Sequence, residues 1–186
     1  PFRTAALIVA PRAGMRLRPA AGDGQRLRRI RTSEIARRTG ALAATNGGFF
    51  AATGDPLGCL MVSGEVFSEP DPQRTCAGFT DDGAVLFDRV RFEATVTTPD
   101  GSVPIDGVNR DRRTDELILY QPSFDQTTRT NAFGAEAVIS GGVVTAVIDF
   151  RGSAAIPRDG FVLSGHGRAR LWILQMLPLG TPVSLK

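Results

Sequence analysis

Asn46-Gly47-Gly48-Phe49-Phe50 joins a polar amide to paired glycines and two aromatic rings. Consecutive glycines allow positive φ and let a ligand approach the backbone closely. Asn46 offers both a donor and an acceptor, and the amides of Gly47 and Gly48 suit an anion or a sugar hydroxyl. A tight bend with Phe49 and Phe50 in the core explains the same residues. A second set, Asn109, Arg110, Arg112 and Arg113, precedes a strand-like ELILY. Forked guanidinium groups match a phosphodiester, and Arg110 is the candidate phosphate ligand if this loop turns inward. The alternative is a solvated loop in which Arg112 and Arg113 pair with Asp111, Asp115 or Glu116.

Carboxyl chemistry is also present. In TTRTNAFGAEAVI, Arg129, Asn131 and Glu136 precede or enter a strand. Glycoside cleavage ordinarily uses one carboxyl to protonate the leaving oxygen and one to stabilise or attack the sugar cation. Glu136 is the first catalytic candidate, set against a strand-face Glu paired with Arg129; Asp106 and Asp149 are weaker ones. The single histidine lies in FVLSGHGRARLW. Ser164 and His166 are two apart on one loop, a poor match for a nucleophile and its base. Ser164 and Gly167 are expected to shape the entry to a helix, with His166 packing or hydrogen-bonding there.

The elements that must position these groups are mostly strands. Turn signals every 8 to 12 residues divide β-rich runs, and four hairpins are expected at LMVSGEVFS, GFTDDGAVLF, ATVTTPDGSVPI and AVISGGVVTAVI. Further strands are expected at TAALIVAP, ALAATN, ELILYQP and GFVLSG. One helix should follow Thr32 or Ser33 as N-cap and stop at Gly40; another should run from about Gly167 to Leu177, ended by Pro178. The fold class is therefore α+β, a mixed, largely antiparallel sheet with hairpins and a few helices, in one domain of 186 residues.

Composition narrows the function classes. No apolar run approaches the roughly 20 residues of a membrane-spanning helix. Residues 1–40 hold ten Arg against Asp23 and Glu34, a local +8. Nucleic-acid binding is the least favoured reading of that patch, since no aromatics interleave it. Cys59 and Cys76, 17 apart, either pair as a disulfide in an exported protein or remain two buried thiols. With one His and no Cys-x-x-Cys, no metal site and no cofactor are expected.

TNGGFF, followed within ten residues by G-D-P-L-G and then by the SGEVFS hairpin, resembles the phosphodiester glycosidase family, which includes a lysosomal N-acetylglucosamine-1-phosphodiester "uncovering" enzyme. The likeness continues through VNRDRRTDELILYQPSFDQTTRTNAFGAEAVISGGVV and IPRDGFVLSGHGRARLWILQMLPLGTPVSL, which are similar to the longer bacterial branch. It implies hydrolysis of a sugar phosphodiester on an exported or cell-envelope glycan, an extracytoplasmic location, and a sugar site walled by Asn46, Gly47, Gly48 and Phe49. Asn109, Arg110 and Asn131 are the further substrate-binding candidates and Glu136 the catalytic one. No Arg-Thr-Ala segment or Asp-Gly-Gly-Gly-Ser loop follows these segments here, as the family's later elements would; the Arg-Thr-Ala at residues 3–5 precedes them. Residues 1–186 are therefore expected to be a domain lacking its C-terminal part, a C-terminal fragment being one partner and the glycan or sugar phosphodiester the other. The competing reading is a non-catalytic glycan-binding or structural module on the same scaffold.

Overall fold

The computed structural model describes Ala6, Ile8, residues 14–22 and residues 28–186. The strand expected over residues 4–11 lies, apart from Ala6 and Ile8, outside the described residues. The described elements are α1 (Thr32–Thr39), β1 (Leu60–Val62), β2 (Glu65–Ser68), β3 (Cys76–Phe79), β4 (Val85–Asp88), β5 (Thr95–Thr98), β6 (Gly101–Pro104), β7 (Gly107–Val108), β8 (Leu117–Tyr120), β9 (Ala135–Ser140), β10 (Val143–Asp149), β11 (Gly160–Gly165), α2 (Arg168–Met176) and β12 (Ser184–Leu185). The fold is α+β and rich in mostly antiparallel sheet.

The central sheet has the order β10-β9-β11-β8-β7, antiparallel except for the short parallel pair of β7 and β8. Side-chain alternation sorts its residues onto two faces. Leu117, Leu119, Ala135, Ala137, Ile139 and Leu163 enter one buried cluster with Ile173 and Leu177 from α2 and its C-cap. The alanines of β9 keep that face low, so α2 can lie close against β9 and β11. Ile118, Tyr120 and Val162 face the other way, into a second cluster with Phe67, Phe124 and Ile156. Because β8 is covered on both faces, LILY reads as an unbroken apolar run. Fully burying one Leu or Ile contributes about 1.5–3 kcal/mol, so the strands around β8 and β11 anchor the fold.

All four expected hairpins form, as β1-β2, β3-β4, β5-β6 and β9-β10. β12 adds to β5, and Val96, Ile105 and Val183 carry this smaller sheet onto the α2-side core. α2 runs from Arg168 with Gly167 as N-cap, inside the expected bounds. α1 ends at Gly40, which takes the left-handed φ of 65°.

Two expectations need correction. Arg31 is the N-cap of α1, without a side-chain cap, and Thr32 is helical; its hydroxyl donates to Asn46 Oδ1. Residues 41–46 form no strand: they are exposed and form no β-pairing among the described residues. Of the two alternatives for the cysteines, the structure shows the pair: Cys59 and Cys76 form a disulfide with Cα atoms 6.4 Å apart. Cys59 precedes β1 and Cys76 opens β3, so the bridge ties together two separate hairpins.

Candidate active site

On the second face of the central sheet, the cross-strand row Ile118, Ser164, Glu136 changes from apolar to polar. Glu136 and Ser164 are both fully buried. Arg112, from the connection between β7 and β8, reaches over this row with its side chain 3% exposed. Its Nη1 donates to Ser164 Oγ at 2.6 Å and lies 4.0 Å from Glu136 Oε1. Its Nη2 donates to the Asn131 carbonyl at 2.8 Å and to Asn131 Oδ1 at 3.0 Å. Glu136 is held in turn, accepting from Thr130 Oγ1 at 2.9 Å and from the Ala154 amide at 2.8 Å. A buried cation needs such a counter-charge and full hydrogen bonding. One donor remains outside this scheme: Arg112 Nε is buried without a partner.

Glycines let the chain close up here. A Cβ on Gly134 would collide with the Gly165 carbonyl and stand 2.8 Å from Arg112 Nη2, and a Cβ on Gly165 would lie 2.6 Å from the Ala169 carbonyl carbon. The FGAEA and SGHG segments thus permit strand, loop and helix to meet around one guanidinium.

The cluster opens onto a cleft of about 350 Å³ lined by Arg112, Arg113, Thr114, Asn131, Phe133 and His166. His166 follows β11 directly; its amide donates to the Glu116 carbonyl, while its ring Nδ1 is buried without a partner. Asn131 Oδ1 also accepts from the Phe133 amide. With that oxygen occupied by Arg112 and Phe133, the Asn131 Nδ2 amide remains for a ligand oxygen. The cleft is therefore walled by an amide, an imidazole and a guanidinium, polar groups of the kind that suit an anionic or polyhydroxyl ligand.

The structure brings Glu136 and Asn131 together, joined through Arg112. Glu136 does not pair with Arg129: that guanidinium bonds Asp55 at 2.9 Å, lies 3.6 Å from Asp125 and covers the Phe124 ring. Asn109 and Arg110 form a separate tie. Asn109 Nδ2 donates to the Phe67 carbonyl and its Oδ1 accepts from the Gln121 amide, joining β2 to β8. Arg110 Nε donates to Glu69 and its Nη1 to Glu116, each at 2.6 Å, and Tyr120 donates to the Arg110 carbonyl. The loop does turn inward, but the guanidinium over the polar row is that of Arg112. Burial opposes charge on Arg110, yet bonds to Glu116 and Glu69 prevail and hold its pKa above the usual value. The Tyr120 phenol is pushed up, chiefly by burial. Asp149 binds Arg170 through both oxygens, and that bonding holds its carboxyl below the usual range.

Asn46, Gly47, Gly48 and Phe49 lie on an exposed segment, and nothing stands within 4 Å of a Cβ on either glycine. Among the described residues no hydrogen bond joins residues 46–49 to the Arg112 cluster. The nearest tie is indirect: the turn Phe49–Leu57 is pinned by Asp55 to Arg129, two residues before Asn131. The sequence pairs Arg112 only with Asp111, Asp115 or Glu116 and sets Ser164 and His166 only at the helix entry; the fold instead carries Arg112 to Ser164, Asn131 and Glu136. The signal that could have raised them is the glycines at 134 and 165, close to a lone Arg-rich connection and the sole His. Among the described residues no group of His, Cys, Asp and Glu could hold a metal ion, and no helix is long and apolar enough to cross a membrane.

No family model and no curated protein matches the chain. Solved structures do. A hypothetical protein from Synechocystis superposes with a TM-score of 0.78 at 22% identity, over 91% of this chain and 33% of that one. A candidate exported protein from Burkholderia pseudomallei K96243 superposes with a TM-score of 0.72 at 22% identity, over 94% of this chain and 43% of that one. At that identity the likeness is one of fold, and the chain spans less than half the length of either structure.

Proposed function

We propose that this domain takes part in hydrolysing the bond between a sugar and phosphate in a phosphodiester of an exported or cell-envelope glycan, with the cleft beside Arg112 as the phosphate end of its site. The observation that carries the reading is the buried Arg112 guanidinium, neutralised by Glu136, on the wall of a cleft that Asn131 and His166 also line. Arg112 binds a phosphate oxygen, Asn131 Nδ2 orients it, and His166 moves the proton of the attacking water. A phosphate leaving group is already acidic, which removes the need for a strong general acid and fits a site whose carboxylate, Glu136, is sealed from solvent. Glu136 is then a positioning residue that fixes Arg112. The Asn46–Phe49 segment forms the sugar-side wall, carried towards Asn131 by the Asp55–Arg129 ion pair. The disulfide supports an extracytoplasmic location, as does the fold shared with a candidate exported protein.

The complete burial of Glu136 favours a second reading, a non-catalytic glycan-binding module on the same scaffold. Turnover separates the two. A model sugar phosphodiester is assayed with the chain, and with a version extended through the Asp-Gly-Gly-Gly-Ser loop that the family resemblance implies. The extended version should turn over, and His166→Ala should slow it about 100-fold or more while leaving the melting temperature in place. Absence of turnover in both, with phosphodiester binding retained, would establish the binding module.

A further inference from the structure

A second open cleft of about 510 Å³ adjoins the first and shares Phe133 and His166 with it. Its character is different: Phe133, Phe150 and Leu171 present large apolar surfaces that are 68%, 61% and 50% exposed. Phe150 is held there against its own backbone preference. Its φ is +49°, a left-handed conformation costly for a bulky residue, and such strain persists only where surrounding structure enforces it. Here the Phe150 amide donates to the Gly134 carbonyl, and the Arg170 guanidinium lies 4.0 Å from the ring centroid. The ring is thus stacked on one side and open to the cleft, with little burial to offset the strain.

We infer that this second cleft binds the apolar portion of an amphiphilic phosphate ester, an alkyl or aryl group whose phosphate sits at Arg112 and His166. The inference rests on the proposed phosphate end and adds the class of the group attached to it. Two features of the cleft select this occupant over a plain sugar. Its exposed surface is mainly apolar, with Asp115 and Arg168 also lining it, and it joins the first cleft through the shared Phe133 and His166, so one short ester spans both. Arg170 is already neutralised by Asp149 through two 2.7 Å bonds, which leaves the stacked wall to act through its apolar area.

The test is calorimetric titration of the chain with inorganic phosphate, hexyl phosphate and neutral hexyl glucoside. Hexyl phosphate should bind about tenfold or more tighter than inorganic phosphate, since burying even two methylenes is worth that factor. Leu171→Asn should erase this gain and, adding no charge, leave the affinity for inorganic phosphate unchanged. Phe150→Gly should do the same while melting no lower than the parent, because glycine accepts the left-handed backbone without strain. The inference is overturned if hexyl phosphate binds no tighter than inorganic phosphate, if the gain survives in both variants, or if hexyl glucoside binds as tightly as hexyl phosphate. The phosphate end itself stands wherever inorganic phosphate still binds. Failure of inorganic phosphate and hexyl phosphate alike to bind overturns both.

Discussion

Glu136→Gln isolates the electrostatic role of the buried carboxylate with almost no change of shape. Glu136 is fully buried and 4.0 Å from an Arg112 guanidinium that is itself 3% exposed. At that separation the pair attraction is about 4 kcal/mol with the effective dielectric that suits protein sites. The amide also has one acceptor oxygen where the carboxylate serves two donors, Thr130 Oγ1 and the Ala154 amide, so one of them loses its partner. Removing one member of a buried pair typically costs about 3–5 kcal/mol, which agrees with that scale. For a chain of this size each kcal/mol lowers the melting temperature by about 2–4 °C, so a fall of about 6–20 °C is expected. Urea and thermal unfolding at pH 7 supply both numbers. The decisive control is the double variant Arg112→Met with Glu136→Gln, which removes both charges and should recover much of the loss. A single variant within 1 kcal/mol of the parent would refute the argument, as would a double variant whose cost equals the sum of the two single ones.

Glu116 is held below the usual carboxylate range: burial opposes this, but hydrogen bonds from Arg110 and the Arg113 amide outweigh it. Its contribution to stability is therefore present above the unfolded value near 4.5 and lost as pH falls through the lower folded value, and Glu116→Gln should flatten the acid limb of a stability-pH curve. Reducing the Cys59–Cys76 bridge should cost about 3 kcal/mol, and mass measurement after alkylation with and without reductant checks that the thiols are paired. Gly134→Ala should be strongly destabilising because its Cβ meets the Gly165 carbonyl, whereas Gly48→Ala, with open space around it, should melt within about 2 °C of the parent.

What the sequence determined by itself was local. The four hairpins follow from glycine-containing turns between β-branched runs, and α2 from the Gly167 start and the Pro178 stop, because turn chemistry and capping act over a few residues. The same locality misled at residues 41–46, whose strand-like pattern finds no partner strand among the described residues, and at Thr32, where the helix begins one residue early. The site depended on contacts that spacing does not encode. Arg110 and Arg112 are two apart with the same side chain, yet one is absorbed by Glu69 and Glu116 and the other crosses β11 and β9 to Ser164 and Glu136. Glu69 is 41 residues from Arg110, and Ser164 is 52 from Arg112. Only the sheet order β10-β9-β11-β8-β7, which inserts β11 between β8 and β9, places Ser164 and Glu136 side by side beneath the Arg112 loop. Burial then decides their chemistry, since a guanidinium shut away from water must find its counter-charge within the protein.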